Sequence, residues 1–393
     1  MPRSILLCTV GTSLIYPNLA NLRKTLAEEA GKPDDRKSIP VALRPSAERL
    51  AAAYESRDWS AVAAALEPFP GNARLCGAEV NSVTSLIQHN YIPGDAGIFL
   101  FHSDTDEGRH IATILTHLLR RRGHQPVEAI LVPDLQDQDP KRFRTNGLRN
   151  LARLLCDRVR QYSPAACAIN ATGGYKAQIA VAVLLGQALG IPVYYMHERF
   201  SEIIAFPPMP VALDFEVWMR FSGWLNALAK DFLPRHLVEE DGWDERYESL
   251  VEADCDEQGR AVLSLSATGQ IFHETFRQRF RSSRDQVLPP AVPAGQKRPP
   301  VLHDHKVIHQ LRTPLTNYLQ RITDEVPQVV QCITNYCNPD LPQPLRFCER
   351  NEGIEGVYSN GTATVRFRVE TSAQTPGQRS AVVAALNEWL SGQ

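Results

Sequence analysis

The residues of this chain best suited to chemistry fall in one run, Ala165-Ala-Cys-Ala-Ile-Asn170-Ala-Thr172-Gly173-Gly174-Tyr-Lys176. An apolar stretch ends in Asn170 and Thr172, two glycines turn the backbone, and Lys176 opens a second apolar stretch through Leu189. Strand, glycine turn and helix in that order present backbone N–H groups at a helix N-terminus, where phosphate is favoured. A glycine-rich turn that binds nothing would read the same way. Three more polar loops follow apolar runs: Gly11-Thr12-Ser13, Ser103-Asp104-Thr105 and Pro133-Asp134-Leu135-Gln136. The small residues of the first would let a ligand approach the backbone. In the second, Asp104 and Glu107 have capping-box spacing, which accounts for both without a ligand. Arg109 is unexpected in that first turn, because the helix dipole disfavours a cation there.

These loops need strands to carry them. Strands are expected at Ser4–Val10, Gly97–His102, Val127–Val132, Ala165–Asn170 and Pro192–Met196, with a further extended piece at Glu202–Ala205. Helical patterns lie between them at Arg109–Arg122, Gly147–Gln161 and Tyr175–Leu189. That alternation predicts an α/β fold with a mostly parallel, Rossmann-like sheet. Ligands of such sheets bind at the carboxyl ends of the strands, which is where all four loops would lie.

The opening strand with Gly-Thr-Ser, the Asn-Ala-Thr-Gly-Gly-Tyr-Lys turn and the following Pro-Val-Tyr-Tyr-Met-His-Glu resemble the CARF sensor domain of type III CRISPR ancillary proteins. The resemblance spans residues 1–212. It implies a homodimer that binds a cyclic oligoadenylate, most often cyclic tetra-adenylate, as an allosteric activator and not a catalytic cofactor. Gly11, Thr12, Ser13, Asn170, Thr172, Gly173, Gly174 and Lys176 would then hold the ring, with Ser103, Asp104, Thr105 and Gln136 on the same edge. Some domains of this kind also cleave their ligand slowly, which adds ring-nuclease activity to the expectations.

Beyond residue 212 the character changes. Residues 213–288 read as a helical or winged connector, with helices at Asp214–Phe232 and Gly269–Arg284. Residues 289–300 read as a proline-rich extended linker. Residues 301–393 read as a small α+β domain in the order helix, helix, strand, strand, helix. Its strands Gly353–Tyr358 and Thr362–Glu370 are joined by Ser359-Asn360-Gly361, a hairpin signal. The spacing Arg298-Pro-Pro-Val-Leu-His303 matches a HEPN ribonuclease signature, but Pro299 and Pro300 forbid the helix it requires. The compact arginine-rich order instead resembles a RelE-type mRNA interferase, and with the sensor it resembles a CARF–RelE fusion. That resemblance implies a metal-independent endoribonuclease that cuts mRNA on the ribosome. An mRNA 2′-hydroxyl would attack the adjacent phosphate while arginines neutralise charge and a Lys, His or Tyr moves the proton. Arg366, Arg368, His305, Lys306, Arg312, Tyr358 and Arg379 are the candidates. Arg366 and Arg368, two apart on one strand, share a face and repel unless something anionic lies between them. The chain departs from the RelE pattern in having no basic strand after Arg368 and in closing on a helix. A non-catalytic DNA- or partner-binding module, built on the basic helix, is the alternative.

Composition sets the frame. At 393 residues the chain exceeds the roughly 250–300 at which one core stops growing. With 43% hydrophobic and 22% charged residues it is neither disordered nor a coiled coil. No apolar run is long enough for a membrane helix, and the opening is too short for a secretory signal, so a cytoplasmic protein is expected. Its eight cysteines are scattered without metal-ligand spacing, so no metal site is expected. Of 42 basic residues eight are Lys, leaving 34 Arg, and the net charge of −2 is unevenly spread. Positions 230–260 hold eleven acidic against four basic residues, and positions 277–312 hold eight Lys or Arg against two Asp.

Overall fold

Short β-branched and apolar runs form the first sheet: β1 (Ile5–Thr9), β2 (Gly97–His102), β3 (Val127–Leu131), β4 (Cys167–Asn170) and β5 (Val193–Met196), joined by an antiparallel edge strand, β6 (Ile203–Phe206). The strand order is β3-β2-β1-β4-β5-β6, with β1 to β5 parallel. β1, β2 and β4 are buried along their whole length, as expected where helices cover both faces. From β1 the chain steps outward to β2 and β3, then returns across β1 to β4 and β5. The switch point therefore lies between the carboxyl ends of β1 and β4, and that is where a doubly wound sheet opens a crevice. The computed structural model describes residues 2–29, 39–197, 202–209, 213–303, 311–338 and 342–392.

Strand–helix alternation leaves residues 14–96 without elements, yet the chain builds α1 (Leu22–Glu29), α2 (Arg44–Glu55), α3 (Trp59–Leu66) and α4 (Gly77–Gln88) there. Alanine-rich stretches such as Trp-Ser-Ala-Val-Ala-Ala-Ala-Leu supply the propensity. Asp58 caps α3 by accepting the Ala61 N–H at 2.9 Å. Later come α5 (Asp106–Arg121), the single turn α6 (Pro140–Arg142), α7 (Leu148–Tyr162) and α8 (Lys176–Leu189). Left-handed Gly190 ends α8, as Gly commonly ends a helix.

The chain divides into two units, Met1–Ala212 and Leu213–Gln393. The second begins with α9 (Phe215–Leu228), β7 (Leu233–Pro234), α10 (Arg235–Glu239), β8 (Val251–Cys255), β9 (Ala261–Leu265) and α11 (Ala267–Val287). It continues with α12 (Arg312–Glu325), β10 (Val329–Asn338), β11 (Arg346–Arg350), β12 (Gly353–Ser359), β13 (Thr364–Thr371) and α13 (Pro376–Ser391). Three strands pair in the order β7-β9-β8, and four in the antiparallel order β10-β13-β12-β11. Of the two helices expected ahead of the hairpin, one forms as α12; residues 304–310 lie outside the described ones, and the segment after α12 is a strand. Val329-Val-Gln-Cys-Ile-Thr is β-branched and pairs with β13, so tertiary pairing and β-propensity win there.

Connector, linker and last domain also do not separate in this unit. Trp218, Phe221 and Leu225 of α9 and Phe276 and Phe280 of α11 share one apolar core with Ala381, Ala384 and Ala385 of α13. Asn387 of α13 locks the junction, accepting the Phe347 N–H at 3.0 Å and donating to Ser222 Oγ at 3.1 Å. The proline-rich stretch is interrupted by a 3-10 turn at Ala294–Gln296, and it lies along β10 and does not swing free. Arg298 N–H donates to Val330 O at 2.9 Å, and Val301 bridges Ile333 in parallel.

Candidate functional site

The first site is built where β1 and β4 end. Gly11 and Gly173 approach so closely that a Cβ on Gly11 would stand 2.5 Å from Gly174 N, and one on Gly173 2.7 Å from Gly11 N. Only glycine fits either position. Thr9 Oγ1 donates to Gly173 O at 2.5 Å, tying the end of β1 to the β4 loop. Asn170 is buried; its Nδ2 donates to Ser82 Oγ at 2.8 Å, and its Oδ1 accepts the Thr172 hydroxyl at 2.6 Å. Thr172 Oγ1 in turn accepts the Met196 N–H at 3.1 Å. Asn170 and Thr172 thus shape the loop from within and present little to a ligand. Beyond them, α8 begins with exposed Lys176, which makes no hydrogen bond or ion pair among the described residues. Gln178 Oε1 reaches back to the Tyr175 N–H at 2.6 Å and steadies this turn.

Sequence reading missed the group that joins the two loops. Glu79, in the first turn of α4, is buried, and its Oε1 accepts the Gly11 N–H at 2.7 Å. Its Oε2 accepts the Ser13 hydroxyl at 3.3 Å, while Ser13 Oγ accepts the Ala78 N–H at 2.9 Å. A Cβ on Gly173 would lie 2.2 Å from Glu79 Oε1. Burial raises the Glu79 carboxyl above the usual carboxylate range, although Gly11 and Ser13 pull it back. Burial likewise pushes the Cys8 thiol far up, so it packs as an apolar group. Within the sequence, only an acidic residue early in an uncovered helix could have pointed to Glu79.

The other loops are bound up in the fold. The cap of α5 is Thr105, whose Oγ1 accepts the Gly108 N–H at 3.0 Å and pairs with Ser103 Oγ at 2.9 Å. The capping box expected from Asp104 and Glu107 does not form, because the cap falls one residue later and Gly108 has no side chain to complete a box. Asp104 pairs with Arg109 at 2.6 Å, and Asp106 adds a second contact at 3.1 Å. Two carboxylates thus offset the dipole that made Arg109 unexpected. Gln136 Oε1 accepts the Gln138 and Asp139 N–H groups at 2.6 and 3.0 Å and closes its own loop. Burial lowers His102, whose Nδ1 lies 3.0 Å from Ser103 O.

In the second unit the arginine candidates separate. Arg366 and Arg368 do lie on one face of β13, and the anions between them are the protein's own carboxylates. Arg366 is 6% exposed and pairs with Glu240 at 2.9 Å and Glu355 at 3.3 Å. It is therefore occupied, whereas Arg368, in register with Glu355, is exposed. Tyr358 does not join them. It pairs with Val365, so it faces the helices and packs on Tyr318 at 5.0 Å between centroids, on the opposite side of the sheet from Arg366. Burial raises its hydroxyl. Arg312 opens α12, and Arg379 lies in the first turn of α13 with its Nε buried and unpartnered among the described residues. His305 and Lys306, with His309, lie outside the described residues. Arg346, unremarked in sequence, is fully buried: it pairs with Asp241 at 2.9 Å and stacks on Trp224 at 3.9 Å. A cavity of about 220 Å³ lies beside this pair, lined by Phe221, Trp224, Asp241, Tyr247 and Glu349 among others. The basic helix α11 is also engaged: Arg277 and Arg281 both pair with Glu388 of α13, at 2.7 and 2.8 Å.

Comparison with known proteins places part of this architecture. Residues 74–209, about a third of the chain, match the family model of a CRISPR-associated protein (Cas_APE2256). The matched segment holds Glu79 and every strand of the first sheet except β1. Among solved structures the chain is similar to Can2 from Sulfobacillus thermosulfidooxidans in complex with cyclic tetra-adenylate. Identity is 10% and the TM-score 0.25; the match covers 72% of this chain and 66% of that one, just under two thirds of its length. No curated protein matches. Among the described residues no helix is long and apolar enough to cross a membrane.

Proposed function

We propose that the chain is a cyclic-oligoadenylate sensor of a CRISPR defence system. Cyclic tetra-adenylate binds the edge where the Gly11–Ser13 and Thr172–Lys176 loops meet and activates a ribonuclease in the second unit. The observation that carries this reading is the meeting of those two glycine loops at the switch point, with exposed Lys176 and Thr12 at its outer side. A ring of phosphates suits such an edge, because backbone N–H groups and a helix N-terminus favour anions. The match of residues 74–209 to a CRISPR-associated family supports the biological setting.

A homodimer belongs to the same proposal. Leu184 of α8 is 40% exposed, and Ile204 and Phe206 of β6 are 40% and 39% exposed. Gln187 fastens α8 to the segment after β6, accepting the Met209 N–H at 2.7 Å. An apolar surface beside an edge suited to a two-fold symmetric ring supports a second copy seated on it. For the effector we propose metal-independent cleavage of mRNA on the ribosome, with exposed Arg368 toward the phosphate. The small antiparallel sheet with α12 and α13 supports that reading.

Calorimetric titration with cyclic tetra-adenylate tests the sensor. Saturable binding to the wild type, weakened at least tenfold in Lys176→Ala with an unchanged melting temperature, is expected. No binding by the wild type overturns the sensor reading. A translation reaction with purified ribosomes and mRNA tests the effector: cleavage is expected only with both ribosome and cyclic tetra-adenylate present.

A further inference from the structure

Glu79 is an uncommon group to find beneath a phosphate site. It is 1% exposed and makes no ion pair among the described residues. Both its oxygens are committed to the loop that follows β1. Its Oε1 also stands against Gly173, leaving no room even for a methyl group there. One carboxyl group therefore sets the spacing of both glycine loops. The same group brings negative charge to within van der Waals distance of the backbone that a phosphate would approach. In a low-dielectric interior, two like charges so placed raise each other's affinity for protons.

We propose that Glu79 is the positioning residue of this edge: its carboxyl group holds the Gly11 and Gly173 loops at one spacing, and binding of an anionic ligand between them is coupled to uptake of one proton by Glu79. The inference rests on the sensor reading above and deepens it. The proton comes from solvent and stays on the carboxyl group while ligand is bound. In the protonated form Oε1 or Oε2 still accepts from Gly11 or Ser13, so the clamp survives while the repulsion is relieved. Burial without a counter-ion, which already raises this carboxyl, works in the same direction.

The surroundings leave Glu79 as the group that titrates. The titratable side chains around it are Cys8 of β1 and, from the elements packed against α4, Tyr16 after β1, Arg74 and Cys76 ahead of α4, and Tyr194 and Tyr195 of β5, with Lys176 beyond the second loop. Cys8 feels the Glu79 charge, and burial keeps its thiol protonated. The Cys76 thiol and the Tyr194 hydroxyl are likewise pushed up by burial. Neither α4 nor either loop brings a cation onto the carboxyl group among the described residues.

Titration calorimetry with cyclic tetra-adenylate, run in two buffers of different ionisation enthalpy, reads the proton count directly. Between the pH at which Glu79 titrates in the free protein and the higher pH at which it titrates with ligand bound, the wild type is expected to take up close to one proton and its affinity to strengthen as pH falls, approaching tenfold per pH unit. Glu79→Gln keeps an acceptor for Gly11 but cannot titrate; it is expected to bind with no uptake at the Glu79 position and a flatter pH profile. Binding by the wild type with no proton uptake overturns the inference and leaves the sensor reading intact. So does an identical profile in wild type and Glu79→Gln. Absence of binding at every pH overturns both. The two-buffer measurement on the wild type decides the question even where Glu79→Gln does not fold.

Discussion

At the scale of single residues, Arg346 is a fully buried charge in the second unit. It shares a salt bridge with Asp241 at 2.9 Å and lies over the Trp224 ring. Removing one partner of a buried pair leaves the other charge without compensation, which costs about 3–5 kcal/mol. Arg346→Ala also loses its packing on Trp224. A fall in unfolding free energy of that size is expected in denaturant titration. Joint replacement by Arg346→Met and Asp241→Leu should cost far less, because no lone charge remains. Equal losses in the single and double variants would show that stacking, and not charge, holds the site. Glu79 gives the opposite case. Its folded-state pKa is raised, so the stability linked to it is complete below the ordinary carboxylate range and is lost as pH rises through the folded value. Glu79→Gln should therefore melt higher than wild type at alkaline pH, and the gap should close on acidification. A gap that widens toward acid pH would contradict this.

At the scale of elements, the glycine loops demand a close approach that side chains forbid. A Cβ on Gly173 would meet Glu79 Oε1 at 2.2 Å, and both atoms belong to buried, hydrogen-bonded groups that cannot swing away. Gly173→Ala should cost about 1–3 kcal/mol by overpacking and part the two loops, with ligand affinity falling at least tenfold. Gly94→Ala, where a Cβ would meet nothing within 4 Å, is the control and should leave binding unchanged. Wild-type affinity in Gly173→Ala would show that the loops need not touch. How legible such elements were depended on the range of the interactions that make them. β2 at Gly97–His102 could be read directly, because its unbroken apolar run specifies it locally. α4 and Glu79 could not, since Glu79 acquires its role only when a helix 66 residues after Ser13 packs under β1. The opposite faces of Tyr358 and Arg366 were also hidden. They follow from strand register, and a shift of one residue reverses every side chain. β10 likewise draws on long-range pairing with β13 as well as on its own β-branched run.

At the scale of the whole molecule, the uneven charge along the chain is largely consumed inside the second unit. Glu240 and Asp241 come from the acidic stretch and meet Arg366 and Arg346 of the antiparallel sheet. Arg235 takes Glu239 and Glu248, Arg246 takes Asp214 and Asp244, and Arg277 and Arg281 take Glu388. An arginine already paired can neutralise a phosphate only by giving up its carboxylate, so it releases little counter-ion on binding. Positions 296–393 carry ten basic and nine acidic residues, which leaves few free cations for a nucleic-acid strand. Binding of isolated single-stranded RNA should accordingly be weak and only mildly salt-dependent. At roughly 0.7 per neutralised phosphate, Arg368 and Arg379, which make no ion pair among the described residues, give a log–log slope of about −1.4. Measuring RNA affinity across a salt series reads that slope. A slope steeper than about −5 would mean that the internal pairs open on binding, and the unit would then hold free RNA by itself. A shallow slope leaves substrate placement to a larger partner, which is the arrangement a ribosome-dependent nuclease requires.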